Sequence, residues 1–443
     1  MKRQIERELQ VWKEGEKRKP LILKGLRQSG KTYLLQDWGK KEFSAVHRLN
    51  FEETQAAHLI FQGDLTPGHI LKEISLLLNA RINIKTDLLF LDEIQACPRA
   101  LTSLKYFNEG LPELAVVAAC SLLGIYLGPV SFPVGKVDIL SIYPMSFEEF
   151  LVALGEDLLV ELIQNWKFPK PISAIAHQKL WERLTWYMVV GGLPEAVQTF
   201  CDHRDDLFVA FTKVRERQKQ LLIAYYADFA KHSGEENAMH IQRVWQAVPS
   251  QLALSQDQSA KRFQFTGVVP GVDRYQKLSG AIDWLNAAGL VLPTHIVNQA
   301  TLPLSAFIKN GLFKLYLCDI GLLGAMSELP VSAILKQEYG TYKGYFAENF
   351  VAQELVCHSD QKLICWQQNR SEIEFLHTSD ASIVPIEVKS GHITRAKSLE
   401  KFMTQYQSDF GVIMSGAEVG FQSESQVHEY PLYMTKALVQ ALE

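Results

Sequence analysis

The stretch Leu21 to Thr32, Leu-Ile-Leu-Lys-Gly-Leu-Arg-Gln-Ser-Gly-Lys-Thr, constrains the fold of this chain more than any other. Leu21-Ile22-Leu23 is a short apolar run of the kind that forms a buried parallel strand, and Thr32 to Trp38, free of Gly and Pro, predicts a helix. Between them, from Gly25, the spacing is G-x-x-x-x-G-K-[ST]. Gly25 and Gly30 let the backbone bend so that several N–H groups point at one spot. Lys31 supplies a point charge, and the Thr32 hydroxyl is a hard oxygen donor suited to Mg2+. The helix behind the loop adds the positive end of its dipole. Such a loop is built to cradle the phosphates of ATP. The candidate nucleotide contacts are Gly25, Leu26, Arg27, Gln28, Ser29, Gly30, Lys31, Thr32 and Tyr33.

A complementary signal lies downstream. Leu88 to Leu91 is apolar and ends in Asp92-Glu93. A buried strand that delivers an aspartate at its C-terminal end suits Mg2+ coordination, directly or through water, so Thr32 and Asp92 are the candidate metal residues. Glu93 can orient and deprotonate an attacking water, which makes Glu93 and Lys31 the candidate catalytic pair. Ala45 to Phe51, Leu114 to Ala119 and Val137 to Ile142 read as further strands, and His69 to Asn79 as a helix. The alternation predicts a parallel α/β sheet. Ser121, just past the Leu114 strand, either senses the γ phosphate or caps a helix. Met1 to Trp12 reads as an amphipathic helix packed on this core.

Composition limits the remaining possibilities. With 443 residues the chain holds roughly two to four domains, and a 47% hydrophobic share supports sizeable cores. Lys+Arg 45 against Asp+Glu 49 leaves a net charge of -4, so any nucleic-acid contact must be a local patch. The six cysteines are scattered without a C-x-x-C, which indicates neither zinc nor a disulfide framework and fits an intracellular chain. The charged N-terminus lacks the apolar segment of a signal peptide. Leu114 to Val134 is uncharged and long enough to suggest a membrane span, but Gly124, Gly128, Pro129 and Pro133 would break it. A cytoplasmic protein without membrane contact is the expectation.

Past Tyr143 the pattern turns helical. Ser146 and Glu149 have capping-box spacing, and a helix through Tyr187 breaks at Gly191-Gly192 and restarts at Pro194. Asp228, Lys231 and His232 fall at helical spacing and read as a solvated or salt-bridged face. Helices at Ile241 to Val248 and Tyr275 to Ala288, followed by strands at Leu290 to Ile296 and Phe313 to Leu317, suggest a winged helix-turn-helix. Lys261, Arg262, Arg274 and Lys277 would be its basic face; the alternative is a domain that only connects its neighbours.

The last hundred or so residues hold a second constellation. Phe346 to Leu355 predicts a helix carrying Glu348 and Glu354; Ser371 to Leu376 alternates as a strand carrying Glu374. In Ile383 to Gly391, Glu387 and Lys389 share a strand face. Acids beside a Glu-x-Lys can hold a divalent metal next to a lysine, an arrangement suited to phosphodiester hydrolysis; Glu348, Glu374, Glu387 and Lys389 are the candidate residues.

The order of segments resembles that of prokaryotic AAA-type ATPases carrying a C-terminal domain of unknown function with a restriction-endonuclease-like fold. The matching stretches are Gly25 to Thr32, Leu88 to Glu93, Tyr143 to Phe150, Gly191 to Val197, Asp228 to His232, Phe313 to Leu323, Lys343 to Leu355 and Ile386 to Gly391. The resemblance implies ATP binding with Mg2+, ATP hydrolysis, and a C-terminal domain similar to PD-(D/E)xK nucleases. The expected organisation is an α/β P-loop ATPase core at 1–150, a helical lid at 151–235, a winged-helix-like domain at 236–332 and the nuclease-like domain at 333–443. DNA would be met through the last two. The other reading is a nucleotide-dependent switch for a protein partner, with the nuclease-like domain inactive. Two positions depart from the family pattern: Glu374 stands where an Asp is usual, and Lys136 where an Arg is usual. Arg27 and Arg99 are candidate arginine fingers by position only.

Overall fold

A computed structural model describes residues 1–121, 132–233, 235–256, 262–338, 340, 342–379, 382–391 and 396–443. Lys261 and most of the uncharged stretch after Ser121 lie outside these residues, as do the side chains of Lys231 and His232. The chain divides into two compact units: Met1–Tyr143 with Ala287–Gly289, and Pro144–Asn286 with Leu290–Glu443.

The first unit is built on five strands: β1 (Leu21–Gly25), β2 (Val46–Asn50), β3 (Leu88–Asp92), β4 (Ala115–Cys120) and β5 (Asp138–Ile142). Their order across the sheet is β2-β3-β4-β1-β5, and every pairing is parallel. Parallel strands need crossover helices, and these cover both faces, which is why the strands read as unbroken apolar runs. Alternate side chains go to opposite sides. Ile22, Leu89, Leu91, Val116 and Ala118 pack with Ile70, Ile74, Leu104 and Phe107 from the helices Pro67–Leu78 and Pro98–Gly110. Leu21, Leu23, Phe90, Val117 and Ala119 pack with Leu34, Leu35 and Trp38 of the helix Lys31–Glu42, and with Leu9 and Trp12 of the N-terminal helix Glu6–Glu14. Strand β4 inserts between the loop strand β1 and the acid strand β3, so Gly25, Asp92 and Ser121 all fall at the C-terminal edge of one sheet.

The second unit begins with the capping box foreseen at Ser146: the Ser146 hydroxyl accepts from Glu149 N–H and the Glu149 carboxylate accepts from Ser146 N–H. The helix Ala174–Val190 ends at Gly191, whose φ of +75° suits glycine, and Pro194 opens the next helix. The break has a cause that no local pattern shows. The buried Asp319 carboxylate caps the helix Ile320–Met326 through Leu322 N–H and also accepts from Gly192 N–H at 2.6 Å.

The strands of this unit form two sheets. One contains β6 (Val291–Val297), β7 (Phe313–Leu317), β8 (Ile364–Gln368) and β9 (Ser371–Ile373) in the order β7-β6-β8-β9. The hairpin expected as a wing is therefore not a free pair: β6 pairs antiparallel with β7 on one side and parallel with β8 on the other. The second sheet contains β10 (Phe375–Ser379), β11 (Ser382–Val388), β12 (Gly411–Ser415), β13 (Gly420–Gln422) and β14 (Val427–Pro431) in the mixed order β10-β11-β12-β14-β13. The single strand expected over Ser371 to Leu376 is realised as two, because the chain passes from one sheet to the other at Glu374. Among the described residues no helix is long and apolar enough to cross a membrane.

Candidate functional site

The loop at the end of β1 is held open by geometry that other residues could not adopt. Gly25 pairs in register with Ile142 of β5, and a Cβ there would sit 2.4 Å from the Ile142 carbonyl oxygen. Its requirement is therefore space. Gly30 differs: its φ of +88° is left-handed and it starts the helix Lys31–Glu42 without a side-chain cap. The first N–H groups of that helix have no intrahelical acceptors, and they face the space before the loop. Gln28, also left-handed with φ +63°, tightens the same bend. Ser29 is buried; its hydroxyl donates to Leu26 O at 2.7 Å. Arg3 donates to Ser29 O at 3.1 Å and to Tyr143 O at 2.7 Å, tying the loop to the segment before the N-terminal helix and to the residue after β5. Gly25→Ala is expected to displace Ile142 and cost about 1–3 kcal/mol, with nucleotide binding lost alongside; a thermal melt and a nucleotide titration check both.

Lys31 is buried at the mouth of the loop. Its Nζ donates to the carbonyls of Gly25 at 2.9 Å and Leu26 at 2.8 Å. Burial pulls its ammonium down to about 8, against the opposing pull of Glu93, Cys120 and Asp92. Leu26 is buried, and Tyr33 is 63% exposed beside the loop.

The two motifs meet. Thr32 Oγ1 lies 3.1 Å from Asp92 Oδ1 and 3.2 Å from Oδ2. A hydroxyl and a buried carboxylate in direct contact are both hard oxygen donors, a set that suits hydrated Mg2+. Burial raises the Asp92 pKa, and its partner Arg48 opposes that shift. Arg48 comes from β2: its Nε is 2.9 Å and its Nη2 2.8 Å from Asp92 Oδ2. Asn50 Nδ2 reaches the same oxygen at 3.4 Å. Glu93 sits at φ +50°, an uncommon conformation for a residue with a side chain. Its Oε2 accepts from Ser121 Oγ at 3.1 Å and from Gln95 Nε2, which also donates to Ser121. Ser121 is thus joined to the acid pair.

The two candidate arginine fingers have different surroundings. Arg27 reaches Glu52 at 3.0 Å and Ser121 at 3.5 Å, inside this cluster. Arg99 is held by the carbonyls of Phe61 and Gly63. Lys136 pairs with Glu109 at 2.9 Å, both half-exposed.

The C-terminal candidates Glu348, Glu387 and Lys389 lie close enough to Glu374 to act on its charge. Glu374 Oε2 accepts from Val388 N–H at 2.9 Å, and Lys389 Nζ lies 2.5 Å from Glu387 Oε1. Burial, then the neighbouring charge of Glu348, pushes Glu374 up to about 8, with Lys389 pulling the other way. Three neighbours come from outside the expected set. Lys314 of β7 is buried against Glu348 at 3.5 Å and contacts Glu372, and Tyr316 donates to Glu348 Oε2 at 2.6 Å. Among the described residues no trio of His, Cys, Asp or Glu converges tightly enough to hold a metal ion. Arg262, Arg274 and Lys277 are exposed.

Glu374 makes a pH-dependent contribution. An acid whose pKa is higher folded than unfolded binds more protons in the native state, so ionising it weakens the fold. Stability should fall as pH rises from about 4.5 to about 8. Glu374→Gln should flatten that loss, on the order of a few kcal/mol. Thermal melts of both proteins across this range check it.

Residues 17–151 match the family model of an AAA domain. Residues 182–333 and 343–433 match two domains of unknown function, DUF8612 and DUF4143. No curated protein matches the chain. Among solved structures, the chain is similar to the Walker-type ATPase of Pyrococcus abyssi, at 15% identity and a TM-score of 0.45 over 73% of this chain and 94% of that one. It is also similar to the Thermotoga maritima RuvB Holliday junction branch migration motor, at 14% identity and a TM-score of 0.30 over 68% and 89%. The AAA match and the five-stranded parallel sheet support a P-loop, nucleotide-binding ATPase as the class of the first unit.

Proposed function

We propose that this chain is a Mg2+-dependent ATPase whose nucleotide state acts on the C-terminal nuclease-like domain. The observation that carries this reading is the meeting of Thr32 with Asp92 at the mouth of the Lys31 loop. In the proposal, the N–H groups at Gly30 to Thr32 and the Lys31 ammonium take the phosphates. Thr32 and Asp92 would hold Mg2+, which when bound supplies charge neutralisation on the β and γ phosphates. Glu93 accepts the proton of the attacking water, and Ser121 and Arg27 stand beside it. Lys31 must exchange the Gly25 and Leu26 carbonyls for phosphate oxygens, a stronger charge-assisted partner. The test is Mg2+-dependent ATP turnover by the purified chain, with and without single- and double-stranded DNA at two salt concentrations, because phosphate contacts are salt-sensitive. Absence of nucleotide binding by the wild type overturns the proposal.

For the C-terminal domain, the run of helix Tyr342–His358, strands β8 to β11, helix Lys397–Tyr406 and strand β12 supports the nuclease-like reading. The second reading, a nucleotide-dependent switch that does not cut, is favoured by Lys314, which lies among the acids. Mn2+- or Mg2+-dependent DNA cleavage lost in Glu387→Ala supports the first; nucleotide-dependent pull-down of a protein without DNA supports the second.

A further inference from the structure

Asp92 is the buried carboxylate expected to face the metal, yet its Oδ2 is already occupied. Two nitrogens of the Arg48 guanidinium, at 2.8 and 2.9 Å, and the Asn50 amide at 3.4 Å converge on that one oxygen, while the Thr32 hydroxyl lies between the two, 3.1 Å from Oδ1 and 3.2 Å from Oδ2. Arg48 is a charged side chain in a strand whose neighbours His47 and Leu49 are buried, and its own side chain is 28% exposed. Its outer edge is held by Glu53 at 3.2 Å, and Glu53 itself is 64% exposed. The register explains the placement: β2 pairs with β3 so that Asn50 lies opposite Asp92, with Arg48 two residues earlier along the same strand face.

We infer that Arg48 is a built-in counter-ion for Asp92 that competes with Mg2+. It neutralises a buried carboxylate that would otherwise stand unpaired, and it sets a fixed positive charge beside the place where a dication must sit. The site is thereby tuned to a low Mg2+ affinity and keeps part of its affinity for nucleotide when the metal is absent. Glu53 draws on the same guanidinium and weakens its hold on Asp92. Arg48 is a positioning residue in this scheme; no part of its role needs contact with the reacting phosphate.

This inference rests on the nucleotide reading, and one titration separates their failures. A fluorescent ADP is bound to the wild type in EDTA, then Mg2+ is titrated in, and the series is repeated for Arg48→Met, Arg48→Lys and Glu53→Gln. For Arg48→Met the Mg2+ midpoint should fall about tenfold, and ADP affinity in EDTA should weaken. Arg48→Lys keeps the charge without the planar fork and should lie between. Glu53→Gln, a change at an exposed side chain, should move the midpoint the opposite way, about twofold. A merely structural Arg48 would lower the amount of folded protein without moving the midpoint in opposite directions. Midpoints in Arg48→Met and Glu53→Gln that coincide with the wild type, with ADP still bound, overturn the role of Arg48. If Arg48→Met does not fold, Arg48→Lys and Glu53→Gln decide. If no protein binds ADP with or without Mg2+, the nucleotide reading itself falls.

Discussion

Replacing Lys31 by alanine is expected to bring ATP turnover down to buffer background and to weaken nucleotide binding by about a hundredfold or more. The size follows from burial. The Lys31 ammonium is inside the loop, already desolvated, and shares carbonyl partners that phosphate oxygens would replace. A cation that has shed its water before the ligand arrives loses little on binding and gains a charge-assisted hydrogen bond. The fold should survive, because the apolar cores on both faces of the sheet do not involve Lys31. Turnover and a nucleotide titration on the same preparation check the prediction. A Lys31→Ala protein that binds and hydrolyses ATP like the wild type would contradict the assigned role.

Glu93→Gln should separate binding from chemistry. The amide keeps a hydrogen-bonding oxygen for Ser121 and leaves Thr32, Asp92 and Lys31 in place, but it cannot take a proton. Hydrolysis is therefore expected to slow by about 10²–10⁴-fold with nucleotide affinity nearly unchanged. The left-handed backbone at Glu93 supports a role that local stability does not explain, since such conformations persist where surrounding structure enforces them. Single-turnover hydrolysis with bound ATP measured in parallel gives the answer. Undiminished hydrolysis would assign the base elsewhere.

The parts of this account that were legible in the sequence share one property: they are written locally. The apolar runs at Leu21 and Leu88 show as strands because a parallel sheet buries both faces, so no polar alternation interrupts them. The loop spacing, the Asp92-Glu93 pair and the Ser146 capping box depend on residues a few positions apart. What escaped depends on register and on distant partners. Arg48 and Asn50 belong to a strand that was recognised, but only the pairing of Asn50 with Asp92 brings them to the acid. Lys314 does carry a local signal. A lysine between Phe313 and Leu315 in an otherwise apolar strand must find an acid when buried, and Glu348 and Glu372 are those acids. The wing expected at Leu290 to Leu317 looked self-contained because its third neighbour, β8, arrives many residues later. Glu374 reads as the middle of one strand, where the chain in fact changes sheets, a choice made by tertiary packing.

The most direct measurement is a structure of the chain bound to Mg2+ and a non-hydrolysable ATP analogue. The expected result is the β and γ phosphates against the Lys31 ammonium and the N–H groups of the Gly25–Thr32 loop, with the metal on Thr32 and Asp92 turned toward it. Triphosphate density away from that loop, or Lys31 still bonded to the Gly25 and Leu26 carbonyls at saturating analogue, would contradict it.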